Sequence, residues 1–390
     1  MKFYGLNNGY AFSRNPIRFR VAWPEGAWDP DGGKFNVSIN GRDIYEGRFT
    51  DPLDVEISEI ADMTVSYLPD PPVNPESPLT LIENEDELLN RTLRLSAEYD
   101  MMGTSSDPLI VFRGGIPQQR FRRYVAGGLD GFPSRLLDFR ANFFFSVRTE
   151  GRFLNIKETE LCPLYFLITD DRTELFARDM QSDKSVDFGE LAKGVYSLDI
   201  HSLRLSFVNK HGLLPSVIDI YRDRDFSCRV AVTEAQASKD RCRIRFRNSL
   251  GIFEIIDLED MCSFSIGGNE GNESYMAFDD TGCSFLELKD RDTPKVTVSV
   301  STGFKPQDEF PLVAEVMTSE EVYLLDVAPE PIRVIPDPET LEIPQRQEKP
   351  NSLSLKFTLS EPDADILRII MGKPYDSTRI FSPEHNDIFN

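Results

Sequence analysis

The chain has 390 residues, 65 Asp and Glu against 43 Lys and Arg, and a formal net charge of −22, a balance that argues against wrapping nucleic acid, which needs clustered Lys and Arg. Three His and five Cys leave little material for metal or nucleophile sites. A 40% hydrophobic content suffices for packed cores, the 28 Phe against two Trp favour β-rich interiors, and the length fits two to four domains.

Met1 to Gly9 lack the apolar segment of a secretory signal. No stretch nears ~20 consecutive apolar residues, so no membrane insertion is expected. Ile17, Phe19 and Val21 alternate with Arg18 and Arg20, the pattern of a half-buried strand. Phe35, Val37 and Ile39 repeat it, Asn40-Gly41 follows, and Ile44-Tyr45 resumes the run. Asn-Gly between two such runs predicts a type I′ hairpin, which needs positive φ at both central residues. A first β-sandwich is expected over 1–67.

Residues 68–79 hold five prolines between Pro69 and Pro78 and read as an extended linker. Leu93, Leu95, Ala97 and Tyr99 then open a central β domain over 80–240. Val55–Ala61 and Val186–Ala192 share a pattern that fits either a distant repeat or chance likeness between strands. A C-terminal β domain is expected over 241–360: Cys242, Ile244 and Phe246 alternate with arginines, Asn248 to Gly251 turn, and Ile252 to Leu258 return. Val296, Val298 and Val300 mark another strand, as do Leu353, Leu355, Phe357 and Leu359. Phe310, Val313, Ala314 and Met317 fall at helical spacing, with Pro311 in the first turn. The tail 361–390 is less regular. The fold class expected is mainly β, as consecutive antiparallel β-sandwich domains of immunoglobulin-like or jelly-roll-like type with few short helices.

Motifs for chemistry are sparse. Cys162, Cys228, Cys242, Cys262 and Cys283 form no C-x-x-C pair and read as buried free thiols. Gly267 to Asn272 lacks the Lys-Ser/Thr of a phosphate loop. Asp29 to Gly33 lacks the later acids of a calcium loop and reads as a turn. Acidic pairs such as Glu158 and Glu160 are expected by chance among so many acids. His201 and His211 have no nucleophile context. No catalytic residue, cofactor or metal is expected.

One composition shift stands out. Between Arg113 and Arg148 there are seven arginines (113, 120, 122, 123, 135, 140 and 148), two Asp and no Lys or Glu, a net +5 against −27 for the rest. Arg113, Arg120, Arg122, Arg123, Arg135, Arg140 and Arg148 lie among Phe, Tyr and Gly residues. Arg beside aromatics is the composition of interface hot spots. Two readings stand ahead of a third: a solvated loop paired internally with the abundant acids, or an arm that docks on an acidic neighbour such as another copy of this chain; nucleic-acid binding comes last, because the surrounding acidic field would repel phosphates. Trp23 and Trp28 flank a turn and could form a small sugar platform.

Several stretches resemble a group of uncharacterised β-rich proteins of phages and prophages of Bacteroides-like bacteria. Asn15–Val21, Asp43–Phe49 and Ile57–Ile60 are similar to their N-terminal unit, and Leu154–Leu164 to their central stretch. Arg245–Glu254 resembles a hairpin of the family, and Thr302–Lys305 with Ser319–Leu325 its ending. The resemblance implies a virion structural role in the tail or baseplate, assembled in the host cytoplasm with copies of itself and other virion proteins. It supplies no active-site residues. The alternative expectation is a β-sandwich module that binds host-surface glycan.

Overall fold

A computed structural model describes residues 3–4, 9–22, 32–72, 77–99, 102–118, 121, 144–148, 153–170, 172–235, 241–258, 262–267, 274–289, 295–305, 309–328, 330–338, 341 and 351–361. The protein is mainly β, with several separate antiparallel sheets and few helices. It divides into two compact units, Met1–Gln236 with Arg247–Ile255, and Ala237–Phe246 with Ile256–Asn390.

The first unit runs β1 (Phe3–Tyr4), β2 (Tyr10–Phe12), β3 (Arg18–Val21), β4 (Gly33–Ile39), β5 (Arg42–Phe49), β6 (Leu53–Glu56), α1 (Ser58–Thr64), β7 (Leu79–Asn84), α2 (Glu85–Leu89), β8 (Thr92–Tyr99), β9 (Met102–Ser105) and β10 (Leu109–Phe112). It continues with β11 (Phe153–Lys157), β12 (Pro163–Ile168), β13 (Thr173–Asp179), β14 (Ser185–Leu191), β15 (Gly194–Asp199), α3 (Ile200–His211), β16 (Val217–Arg222) and β17 (Asp225–Thr233). These strands form sheets ordered β1-β3-β6, β2-β10-β8-β4-β5 with β9 on β8, β11-β17-β16-β13-β14, and β12-β15-β7.

Alternation decides which faces are covered. Phe35, Val37 and Ile39 of β4 and Leu93, Leu95 and Ala97 of β8 share a core with Ile17, Phe19 and Val21 of and beside β3. The Phe19 and Phe35 rings meet edge to face at 5.8 Å, closing one sheet over the other. Strands β2 and β10, paired in parallel, are covered on both faces. Ala11, Leu109 and Val111 enter that core, while Tyr10, Phe12 and Phe112 enter a second one with β12, β13, β15, β16 and α3. Among the described residues β11 with β17 is the other parallel pair.

The Asn-Gly hairpin forms as its sequence predicts: Ile39 pairs with Arg42 across Asn40 and Gly41, whose φ angles are +50° and +69°. Strand pairing crosses the boundary expected at 68–79, since β4 lies beside β8. Residues 73–76 of that stretch lie outside the described residues. Leu68 is buried, and the Tyr165 hydroxyl donates to the Pro69 carbonyl at 3.0 Å.

Helix α3 was not expected from the sequence. Asp199 caps it by accepting from the His201 and Ser202 amides, and Gly212 ends it at φ +70°. Ile200, Leu203, Arg204 and Phe207 form its buried face.

The second unit is built on β18 (Cys242–Arg247), β19 (Phe253–Leu258), β20 (Ser263–Gly267), β21 (Ser274–Asp279), β22 (Ser284–Lys289), β23 (Lys295–Lys305), α4 (Phe310–Thr318), β24 (Val322–Leu325), β25 (Ile332–Pro336) and β26 (Asn351–Leu359). Residues 247–255, the far end of the β18–β19 hairpin, group with the first unit. A seven-stranded sheet is ordered β19-β18-β24-β25-β26-β23-β20, and β21-β22 form a separate pair. Helix α4 has Pro311 in its first turn and buries Phe310, Val313 and Met317, as its spacing predicts. The tail beyond 361 lies outside the described residues.

Candidate assembly surface

The β21–β22 ribbon carries the most unusual surface among the described residues. Cross-strand partners share a face, so Tyr275, Leu288, Ala277 and Leu286 lie on one side. Met276 with Glu287, and Phe278 with Phe285, lie on the other. Met276, Phe278 and Phe285 are 53–66% exposed, and Tyr275, Leu286 and Leu288 41–49%. Phe278 and Phe285 contact each other edge to face at 5.2 Å, and no third described strand joins the pair.

A hairpin with one solvated face puts polar residues on that face. Here large apolar side chains occupy both faces. Taking ~200 Å² for each fully exposed side chain, the six together leave on the order of 600 Å² of surface open. Split between the two faces this is about 270 and about 360 Å², the size of the larger apolar patches on monomers, and together it approaches the ~800 Å² each partner contributes to a stable interface. The turn itself is polar and fixed: the Asp279 carboxylate accepts from the Thr281 and Gly282 amides at 3.0 and 3.1 Å, and Cys283 takes φ +48°. With Asp280 beside it and Glu287 on one face, the ribbon combines an acidic tip with an apolar shaft.

Of the arginine window, Arg113 and Arg148 are described; Arg120, Arg122, Arg123, Arg135 and Arg140 lie outside the described residues, as do Trp23 and Trp28. Arg113 stacks on the Tyr67 ring at 4.3 Å, and Arg247 on the same ring at 4.0 Å. Arg14 donates to the Tyr67 hydroxyl at 3.0 Å, and Asp62 bonds Arg14. Three guanidiniums thus gather around one partly exposed tyrosine in the first unit, and Arg113 also lies 4.0 Å from the Asp62 carboxylate, a pairing within the chain.

Arg148 corrects its own expectation as an outward contact. It is buried, donating to Glu160 at 2.8 Å and to the Ile255 carbonyl, with Glu254 at 4.0 Å. Burial alone would lower its pKa, but the facing carboxylates of Glu160 and Glu254 more than reverse this and raise it. Burial, and then Glu254, push the neighbouring Cys162 thiol up to about 12. Arg148 is therefore an interior charge held by distant acids, because a buried guanidinium persists only when paired.

The other sequence features resolve in the same way. Glu160 binds Arg148, and Glu158 binds Arg204 at 2.8 Å, so the two acids are occupied by separate arginines. His201 and His211 sit ten residues apart on α3, about 15 Å along the helix at 1.5 Å per residue. A cleft of about 470 Å³ in the first unit is lined by Asn40, Arg42, Glu87 and Asn90 together with Arg91. That Arg91 is committed to Glu83 and to the carbonyls of Ser66 and Tyr67. Cys162, Cys228 and Cys242 are buried as expected, whereas Cys262 is half-buried and Cys283 exposed. Among the described residues no three His, Cys, Asp or Glu side chains converge to hold a metal ion, and no helix is long and apolar enough to cross a membrane.

No family model matches the chain, and no curated protein matches it. Among solved structures, a chain from the tail of an empty GTA particle, computed with helical refinement in C6 symmetry, is similar at 15% identity, covering 33% of this chain and 96% of that one, with a TM-score of 0.22. A TM-score that low transfers neither fold nor function.

Proposed function

We propose that this chain is a structural subunit of a bacteriophage virion, a tail or baseplate ring or collar component that works by oligomeric assembly. The β21–β22 ribbon carries the assembly step. An isolated two-stranded hairpin is marginally stable in water, and this one exposes apolar side chains on both faces, so its stable environment is between other protein surfaces. Another copy of this chain is the partner assigned to it, with other virion structural proteins as further neighbours. The Arg113 cluster around Tyr67 is of the composition that anchors such contacts. The virion setting, with assembly in the host cytoplasm, follows from the sequence resemblance. The mechanism needs no bond making or breaking, and no catalytic residue or cofactor is assigned.

Multi-angle light scattering and electron microscopy of the purified chain test this reading. Closed oligomers that grow with concentration in the micromolar range are expected. A chain that stays monomeric at tens of micromolar, with no self-association, overturns it.

A further inference from the structure

The seven-stranded sheet of the second unit has β19 at one end and β20 at the other. Seven strands spaced ~4.8 Å apart would place those ends about 29 Å apart in a flat sheet. Yet β19 ends at Leu258 and β20 begins at Ser263, and five residue steps span at most ~18 Å. The sheet is therefore curled so that its two ends approach. Cys262 lies in that short connection, and its thiol is close enough to interact with that of Cys242 at the start of β18, next in order to β19. Cys242 is buried and Cys262 half-buried, so one thiol of the pair can meet a reagent while the other is enclosed.

We propose that Cys242 and Cys262 are a redox pair that closes to a disulfide on contact with a small-molecule disulfide oxidant, fastening the curled sheet where its ends meet. The step balances with oxidised glutathione. The Cys262 thiolate attacks one glutathione sulfur, the glutathione S–S bond breaks, and one reduced glutathione leaves. Cys242 then loses its proton to water and attacks Cys262 Sγ, expelling the second glutathione. Two protein thiols lose two electrons and two protons, and the oxidant takes them up as two thiols. The Cys262 thiol, burial, and the nearby Asp326 and Asp257 all raise the Cys242 pKa, which makes the second step the slow one. In a reducing cytoplasm the pair stays open; on release into oxidising surroundings it closes.

The test treats the folded full-length Cys283→Ser protein, whose exposed competing thiol is gone, with oxidised glutathione, followed by non-reducing digestion and mass spectrometry. A transient glutathione adduct on Cys262 should give way to a Cys242–Cys262 cross-linked peptide. The cross-link closes a loop of about 20 residues and should raise the melting temperature of the treated protein by about 10 °C. Adding Cys262→Ser, at the half-buried position, should abolish both cross-link and shift. A stable Cys262 adduct with no cross-link, cross-linking of Cys242 to another cysteine, or no reaction at Cys262 would overturn the pairing. These readouts are taken on the isolated chain, so they stand or fall separately from oligomer formation.

Discussion

Two hairpins of this chain, β4–β5 and β21–β22, have comparable strand lengths and opposite fates. In β4 the apolar residues fall at every second position, and Phe35, Val37 and Ile39 are buried beneath β3 and beside β8. The opposite face carries the exposed Lys34 and the half-buried Asn36 and Ser38. In β21–β22 the alternation is lost: Tyr275 and Met276 are adjacent, as are Phe285 and Leu286, so both faces are apolar and both are exposed. The first satisfies itself within the chain, through period-two burial and a two-residue turn. The second has apolar surface in excess of what its own unit covers, and it is the segment assigned to neighbouring subunits.

Breaking the first hairpin should cost the most. Phe35→Ala removes a ring that touches Phe19 and Phe49 and should lower unfolding free energy by about 3–5 kcal/mol in urea denaturation. A next, smaller effect sharpens why the pair fits. Phe35 lies opposite Gly47, and a Cβ there would sit 2.4 Å from the ring. Gly47→Val should therefore destabilise by about 1–3 kcal/mol through overpacking, read in the same assay. On the exposed ribbon, Phe285→Ala loses one edge-to-face contact and should change monomer stability by about 1 kcal/mol or less. If Phe285→Ala costs as much as Phe35→Ala, the ribbon is covered within the monomer and the comparison fails.

A further effect is alkaline and is read as a change with pH. Burial, with Asp219 adding to it, pushes the Cys228 thiol up to about 12, while an unfolded cysteine ionises near 8.5. The folded state thus holds this proton longer than the unfolded state. Stability is complete below about pH 8.5 and falls as pH rises toward 12. Urea midpoints measured at pH 8 and pH 10.5 should differ less in Cys228→Ala than in the parent chain. An unchanged difference would show that other groups set the slope.

The sequence makes the first hairpin readable because local rules act together there: alternation marks the strands and Asn-Gly marks the turn. The same holds for α4, whose apolar spacing and Pro311 agree. The α3 signals lie in the sequence as well: Asp199 as cap, Gly212 as stop, and Ile200, Leu203, Arg204 and Phe207 at helical spacing. The β21–β22 ribbon is hidden for a physical reason. Strands apolar on both faces show no period of two, and Tyr275-Met276-Ala277-Phe278 reads equally as a short buried run. Arg148 is hidden for another reason, since its fate depends on Glu254 and Glu160 being brought to it by the fold. Composition places arginine in the window; only tertiary pairing separates the buried Arg148 from the half-buried Arg113.

The proposed role of the ribbon is to join subunits, not to stabilise the one it belongs to. Sedimentation velocity of the Phe278→Ser/Phe285→Ser chain beside the parent, with circular dichroism melts of both, tests it directly. The parent should sediment as oligomers at micromolar concentration, and the double variant as a monomer with the same strand content and nearly the same melting temperature. Oligomers of undiminished size in the double variant, or a monomer in which both substitutions unfold the chain, would contradict it.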